Sequence, residues 1–214
     1  MQDIVIVGAG DLGREVIQYV KDTWLDREEY QLKGFLDDQS VDLRAFGLDT
    51  DVIGSPCDYI IQEEDRFLVA IGDPDIHRLL TEQIAQRGGR FLTLLHPQAY
   101  VAPTASFGAG TIVAPFAFVG PHAGIASHVV LNIYASVGHD ARIGVHTIFA
   151  HYATVNGHVV VESEVLLGTH ATVTARKYVG HAAKISAGSV VYQDVPSRAL
   201  AFGNPTKTRI LYPE

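Results

Sequence analysis

From Val101 to Pro196 every sixth residue is a large aliphatic or aromatic side chain, and this repeat limits the possible folds more than any other feature of the chain. The stretch divides into sixteen hexads, from VAPTAS and FGAGTI to ISAGSV and VYQDVP. The first position is Val, Ile, Leu or Phe in all sixteen, and the fifth is Ala, Thr, Val or Ser in all but one, which holds Lys177. A period of six fits neither an α-helix nor an alternating strand. It is a parallel β-helix signature, in which three hexads close one triangular coil and the first-position side chain points inside. Coils stack at about 4.8 Å, the spacing of parallel strands, so residues eighteen apart lie above one another. Each apolar ring is buried only against its neighbours, and stability accrues by stacking. Sixteen hexads predict a little over five coils. Lys177 falls where a small buried side chain belongs. An unpaired buried ammonium is costly, so the pattern predicts an outward bulge there.

The first half has a different grammar. DIVIVGAGDLGREVIQYV reads as strand, glycine turn, helix, and Gly8, Gly10 and Gly13 match G-x-G-x-x-G. The first glycine lets the chain turn, the second lets backbone approach a phosphate, and the third lets helix pack on strand. QLKGFLDD predicts a second strand with Asp37 and Asp38 at its tip, where carboxylates accept hydrogen bonds from nucleotides. RFLVAIGD, carrying Gly72, predicts a third strand, DPDIHRLLTEQIAQRGG a helix, and FLTLL a fourth strand. The chain divides into a Rossmann-like α/β domain over 1–97 and a β-helix over 98–214. The first has room for about one βαβαβ half, which favours a mononucleotide over NAD.

Composition narrows the function classes. The net charge is −8, and the single Cys57 excludes an intramolecular disulfide and a multi-Cys zinc site. An acidic chain is a poor general nucleic-acid binder. No apolar run approaches the ~20 residues that span a bilayer, so no membrane association is expected. MQDIVIVGAG lacks a basic n-region and a cleavage site, and a cytoplasmic location is expected. Six of the seven basic residues after position 100 fall between Arg176 and Arg209. Arg176, Lys177, Lys184, Arg198, Lys207 and Arg209 suit the phosphates of a small ligand.

GAGDLGREV, FLDD, IGD, LHPQAYV running into hexads, and GNPTK cover nearly the whole chain. Together they resemble the sialic acid O-acetyltransferase family of hexapeptide-repeat acyltransferases, including the UDP-4-amino-sugar N-acetyltransferases of bacillosamine-type pathways. The resemblance implies a left-handed coil, against the usual right-handed crossover. It further implies a homotrimer with acetyl-CoA between adjacent β-helices, no metal, and a nucleotide-sugar held by the glycine loop (Gly8, Gly10, Gly13), Asp37, Asp38 and Gly72. His139-Asp140 matches the family's catalytic His-acid pair, and Asn132 a position near the acceptor. Lys177, Lys184 and GNPTK (Gly203, Asn204, Pro205, Lys207) are the implied CoA contacts. The family often carries Gly-His-Gly in its loop; here Asp11-Leu12-Gly13 stands instead, and Leu12 cannot donate a hydrogen bond.

Such chemistry suits these residues. An attacking amine or hydroxyl must lose a proton, and a histidine near neutrality can take it. An adjacent carboxylate can fix the ring tautomer. Eight histidines lie in the repeat region, and spacing of eighteen stacks His122, Asp140 and His158 in one column and His128 beneath His146. The leading expectation is N-acetylation of a nucleotide-linked amino sugar, with sialic acid-type O-acetylation the alternative. A carbonic anhydrase-like metalloenzyme would use His146 and His151, but Gly110 stands near its third expected ligand. An NAD(P)-dependent oxidoreductase rests on the glycine motif alone, and a non-catalytic sugar-binding scaffold is the remaining class.

Overall fold

The computed structural model describes residues 1–24 and 27–211. The chain forms two compact units, Met1–Leu94 and Leu95–Glu214.

In the first unit β1 (Gln2–Val7), β2 (Tyr30–Leu36), β3 (Val52–Gly54), β4 (Asp65–Val69) and β5 (Arg90–Phe91) form one sheet in the order β3-β2-β1-β4-β5. All four pairings are parallel. Ile4 to Val7 are wholly buried, as expected of a central strand covered on both faces. Helix α1 (Asp11–Trp24) follows β1, and α2 (Pro74–Gln86) follows β4. Asp73 caps α2 by accepting hydrogen bonds from the N–H groups of Asp75 and Ile76, with Pro74 in the first turn, so the predicted helix starts where its capping residues place it. Two details differ from expectation. Val52–Gly54 adds a short edge strand that its three residues did not announce. FLTLL is not one strand, because pairing breaks between Phe91 and Leu94. β1 lies between β2 and β4, so the strand order reverses at its carboxyl end, the place where open α/β sheets hold ligands.

The second unit is a left-handed parallel β-helix of two-residue strands. One face stacks Tyr100–Val101, Phe118–Val119, Ser136–Val137, Thr154–Val155, Thr172–Val173 and Val190–Val191. The second runs from Ser106–Phe107 through Arg142–Ile143 to Tyr178–Val179, and the third includes Ile148–Phe149, Leu166–Leu167 and Lys184–Ile185. Phe118 pairs with Ser136 and Ser136 with Thr154, a register of eighteen that every coil repeats. First-position residues such as Val119, Val137 and Val155 and fifth-position residues such as Ala117, Ala135 and Ala153 form one continuous core. The last coil ends in an antiparallel hairpin, Ala199–Phe202 with Lys207–Ile210, whose turn is GNPT.

The expected bulge at Lys177 does not occur. Tyr178–Val179 pairs in register with Val160–Val161, and the Val160 N–H donates to the Lys177 carbonyl at 2.9 Å. Lys177 is only half-buried. A long aliphatic stem lets the ammonium reach solvent without distorting the coil.

Candidate active site

The fourth position of each hexad turns a corner, and from Phe116 to Ala182 every such residue is in the left-handed region, with φ between 53° and 62°. No glycine stands at these twelve corners. Inter-coil hydrogen bonds hold the conformation: the N–H of His128, Asp140 and His158 donates to the carbonyl of Ala109, Pro121 and His139 respectively, at 2.9–3.0 Å. Corner side chains therefore point outward in columns. One column stacks Phe116, Tyr134, Tyr152 and His170, with ring centroids 5.1, 4.7 and 4.5 Å apart. Another stacks His128 on His146 at 5.1 Å with rings 6° from parallel, as the spacing predicts.

The column of His122, Asp140 and His158 brings titratable side chains together with His139. His139, at the third position, places Nδ1 2.8 Å from Asp140 Oδ2. His158 Nε2 lies 3.8 Å from the same oxygen, and the two imidazole rings meet edge to face at 5.0 Å. The hydrogen bond from His139 holds the Asp140 carboxyl below the usual carboxylate range, with His158, His139 and His122 adding to the effect and partial desolvation opposing it. An ionised carboxylate only accepts, so Nδ1 is the donor and Nε2 is left to accept a proton. The His139 side chain is 58% exposed, open to a substrate. The spacing of eighteen in the sequence places His158 in this column, beside Asp140. Beside the column, His122 and Arg142 line an open groove of about 590 Å3, and Arg142 Nη1 donates to the His122 carbonyl at 2.5 Å. Sequence reading passed over Arg142, because it lies outside the basic C-terminal cluster.

Among the described residues the one group of three potential metal ligands is His139, Asp140 and His158, whose donor atoms lie within 4.8 Å of one another. Among the described residues His146 and His151 are not part of such a group.

Asn132 is 7% exposed, and its Oδ1 has no hydrogen-bond partner among the described residues. It follows Val130–Leu131 on the third face, and no hydrogen bond joins it to His139. Lys184 and the GNPTK hairpin share that face, since Lys184 pairs with Leu200 and Phe202 with Lys207. Lys177 stands before a strand of a different face.

In the α/β unit a crevice of about 450 Å3 opens at the carboxyl ends of β1, β2 and β4, lined by Gly8, Gly10, Leu12, Asp37, Gln39 and Gly72 among others. A Cβ on Gly13 would lie 1.9 Å from the Gly8 carbonyl oxygen, so this glycine serves helix–strand packing. Cβ atoms on Gly10 or Gly72 would meet nothing within 4 Å, which leaves the crevice wall open to a ligand. Asp37 holds the loop: its Oδ2 accepts from the Ala9 N–H at 2.8 Å and its Oδ1 from the Gln39 N–H at 2.9 Å. Asp38 Oδ1 accepts from Ser55 at 2.6 Å, and Asp38 does not line the crevice. Asp11, at the start of α1, is paired with Arg14, so its charge is partly neutralised where a phosphate would approach.

Comparison with known proteins follows the same division. Residues 3–84 match the PglD N-terminal domain family. A curated UDP-N-acetylbacillosamine N-acetyltransferase of Bacillus subtilis (strain 168) is 27% identical over 118 residues, 53% of this chain and 51% of that protein. The match thus spans about half the length of that relative. Two solved structures align over nearly the whole chain. PerB from Caulobacter crescentus, in complex with CoA and GDP-perosamine, has a TM-score of 0.87 and 25% identity, covering 98% of each chain. The acetyltransferase domain of PglB from Neisseria gonorrhoeae FA1090, in complex with acetyl coenzyme A, has a TM-score of 0.85 and 29% identity, covering 96% of this chain and 98% of that one. The α/β unit thus matches the PglD N-terminal domain family, and the chain as a whole is similar in fold to these nucleotide-sugar and acetyl-CoA-binding acetyltransferase structures.

Proposed function

We propose that this protein is an acetyl-CoA-dependent N-acetyltransferase acting on the amino group of a nucleotide-linked sugar, with His139 as general base. The observation that carries the reading is the His139–Asp140 hydrogen bond, which leaves Nε2 of an exposed imidazole as the proton acceptor. The acceptor nitrogen attacks the thioester carbonyl carbon and forms a C–N bond, while Nε2 takes the proton that the nitrogen sheds. Ionised Asp140 stabilises the imidazolium. Collapse of the tetrahedral oxyanion breaks the C–S bond, and the imidazolium proton passes to the leaving thiolate. The neighbours bound to CoA and acetyl coenzyme A support the donor, and the complex with GDP-perosamine and the UDP-N-acetylbacillosamine relative support a nucleotide-linked amine as acceptor.

In this reading the nucleotide diphosphate lies along the crevice wall at Gly8, Gly10 and Gly72, with Asp37 shaping the loop and Asp38 free to accept through its second oxygen. Asn132 Oδ1 accepts from the acceptor sugar. Lys184, Gly203, Asn204, Pro205 and Lys207 hold CoA phosphates, with Lys177 on the neighbouring face. The protein assembles as a homotrimer through β-helix faces. The exposed rings of Tyr100, Phe116, Phe118, Tyr134 and Tyr152, stacked in ladders, support an interface there.

The test is His139→Ala. We expect kcat/KM to fall at least ~10²-fold while acetyl-CoA still binds. A change under threefold removes His139 from the mechanism.

A further inference from the structure

The residue one coil above His139 is Gly157, set there by the register that pairs Ser136 with Thr154. A Cβ on Gly157 would lie 2.5 Å from His139 Nε2, 2.6 Å from Cε1 and 3.1 Å from Cδ2. Real Cβ atoms do not approach that closely. A carbon placed along the Nε2 lone pair would be equally far from Cε1 and Cδ2, and clearly farther from both than from Nε2. The observed set instead puts the missing methyl over the ring face, at its Nε2–Cε1 edge.

The fold itself does not ask for glycine at this position. Gly157 is not among the residues with positive φ, so alanine could adopt its backbone conformation. Most glycines of the coil differ in what surrounds them. A Cβ on Gly138 would meet the Asn156 carbonyl carbon and the Gly157 nitrogen at 2.6 Å, and one on Gly144 the Glu162 carbonyl carbon at 2.5 Å. Those glycines let backbone stack on backbone. At Gly157 the three nearest atoms all belong to the His139 imidazole, which can rotate.

We propose that Gly157 is a positioning residue for acyl transfer, its missing side chain forming the seat of the His139 ring. The inference rests on the reading of His139 as the base. The ring then has a fixed neighbour on three sides: Asp140 on the Nδ1 edge, His158 edge-on at 5.0 Å, and the bare Gly157 backbone across its face. With a methyl in the seat, the ring must swing away and the 2.8 Å contact with Asp140 is lost. His139 then keeps its chemistry but not its aim, which intramolecular proton transfer needs.

The test is a double-mutant cycle on the full chain with Gly157→Ala, His139→Ala and the pair, read by thiol release from acetyl-CoA with UDP- and GDP-linked 4-amino sugars. Gly157→Ala is expected to lower kcat ~10²-fold. It should leave the KM for acetyl-CoA within about threefold and the unfolding midpoint nearly unchanged, because only a rotatable ring must yield. In the His139→Ala background the same change should be silent, within about twofold, because Gly157 acts through that ring. Multiplying losses in the double variant would overturn the proposal. So would a kcat near wild type in Gly157→Ala, or a variant that fails to fold. If His139→Ala itself leaves kcat within threefold, the base assignment falls first, an outcome distinct from multiplying losses.

Discussion

The two units reach the same backbone conformation by opposite means. In the α/β unit every described residue with positive φ is a glycine, including Gly8 at 99° and Gly47 at 73°. In the β-helix only Gly110 and Gly188 among the described left-handed hexad corners are glycine, and the twelve from Phe116 to Ala182 are histidine, tyrosine, phenylalanine, aspartate, glutamate, arginine and alanine. Left-handed conformations cost an ordinary residue about 1–2 kcal/mol, which glycine avoids. The α/β unit avoids the cost by its choice of residue. The β-helix offsets it by geometry, since each corner N–H donates to the coil below and the rings stack on their neighbours. Corner positions are thus free to carry polar and charged side chains, and Asp140 at φ 58° is one of them.

The contrast can be broken by swapping residues. The largest effect is expected from Gly47→Ala. Gly47 closes the short helical turn Leu43–Phe46, and a Cβ there would meet nothing within 4 Å, so the change tests conformation alone. It should destabilise the α/β unit by about 1 kcal/mol, a midpoint shift of about 5 °C. An unchanged midpoint would deny that glycine carries this turn.

Acid should separate the units next. Burial, with His146 beside it, pushes the His128 imidazole down to about 4. An unfolded histidine titrates near 6.5, so between those values the unfolded chain binds a proton the folded chain refuses. The stability is fully present above about 6.5 and falls as pH drops toward 4. In the α/β unit a hydrogen bond from Gln31, helped by Lys33, lowers the Asp3 carboxyl from its usual 3.8. Its contribution is present above that value and is lost only as pH falls below it. Hydrogen exchange at pH 7 and 5 should show protection falling in the β-helix first, and His128→Phe should flatten that response. Equal loss in both units would contradict the assignment.

The smallest effect belongs to Ala182→Gly, at a corner with φ 53°. Relief of about 1–2 kcal/mol of left-handed strain is opposed by the extra unfolded-state entropy of glycine, about 0.5–1 kcal/mol. The β-helix midpoint should move by less than about 5 °C. A large stabilisation would mean that stacking leaves the corner strain uncompensated.

Legibility in the sequence follows the same division. The hexads announce the coil because each one buries its first- and fifth-position side chains, and the columns of eighteen follow from it; His128 on His146 and Asp140 beside His158 were both readable. The glycine motif announces the β1–α1 turn because its steric demands are local. Other features were not readable, because they depend on what lies across a coil or a sheet. Lys177 escapes the core along its own stem, and Asp37 spends its oxygens on the N–H groups of Ala9 and Gln39. The three-residue Val52–Gly54 is a strand only because β2 is beside it. Gly157 reads as one more small residue until the ring of His139 is placed against it.

Acetyl transfer to an amine is the activity on which every assigned residue role depends. The most direct measurement is thiol release from acetyl-CoA by the purified protein against UDP-, GDP- and dTDP-linked amino sugars, with free sialic acid in parallel. Turnover with at least one nucleotide-linked amine, abolished when that amino group is replaced by hydroxyl, is the predicted result. Release with sialic acid alone, or with none of the acceptors, would contradict it.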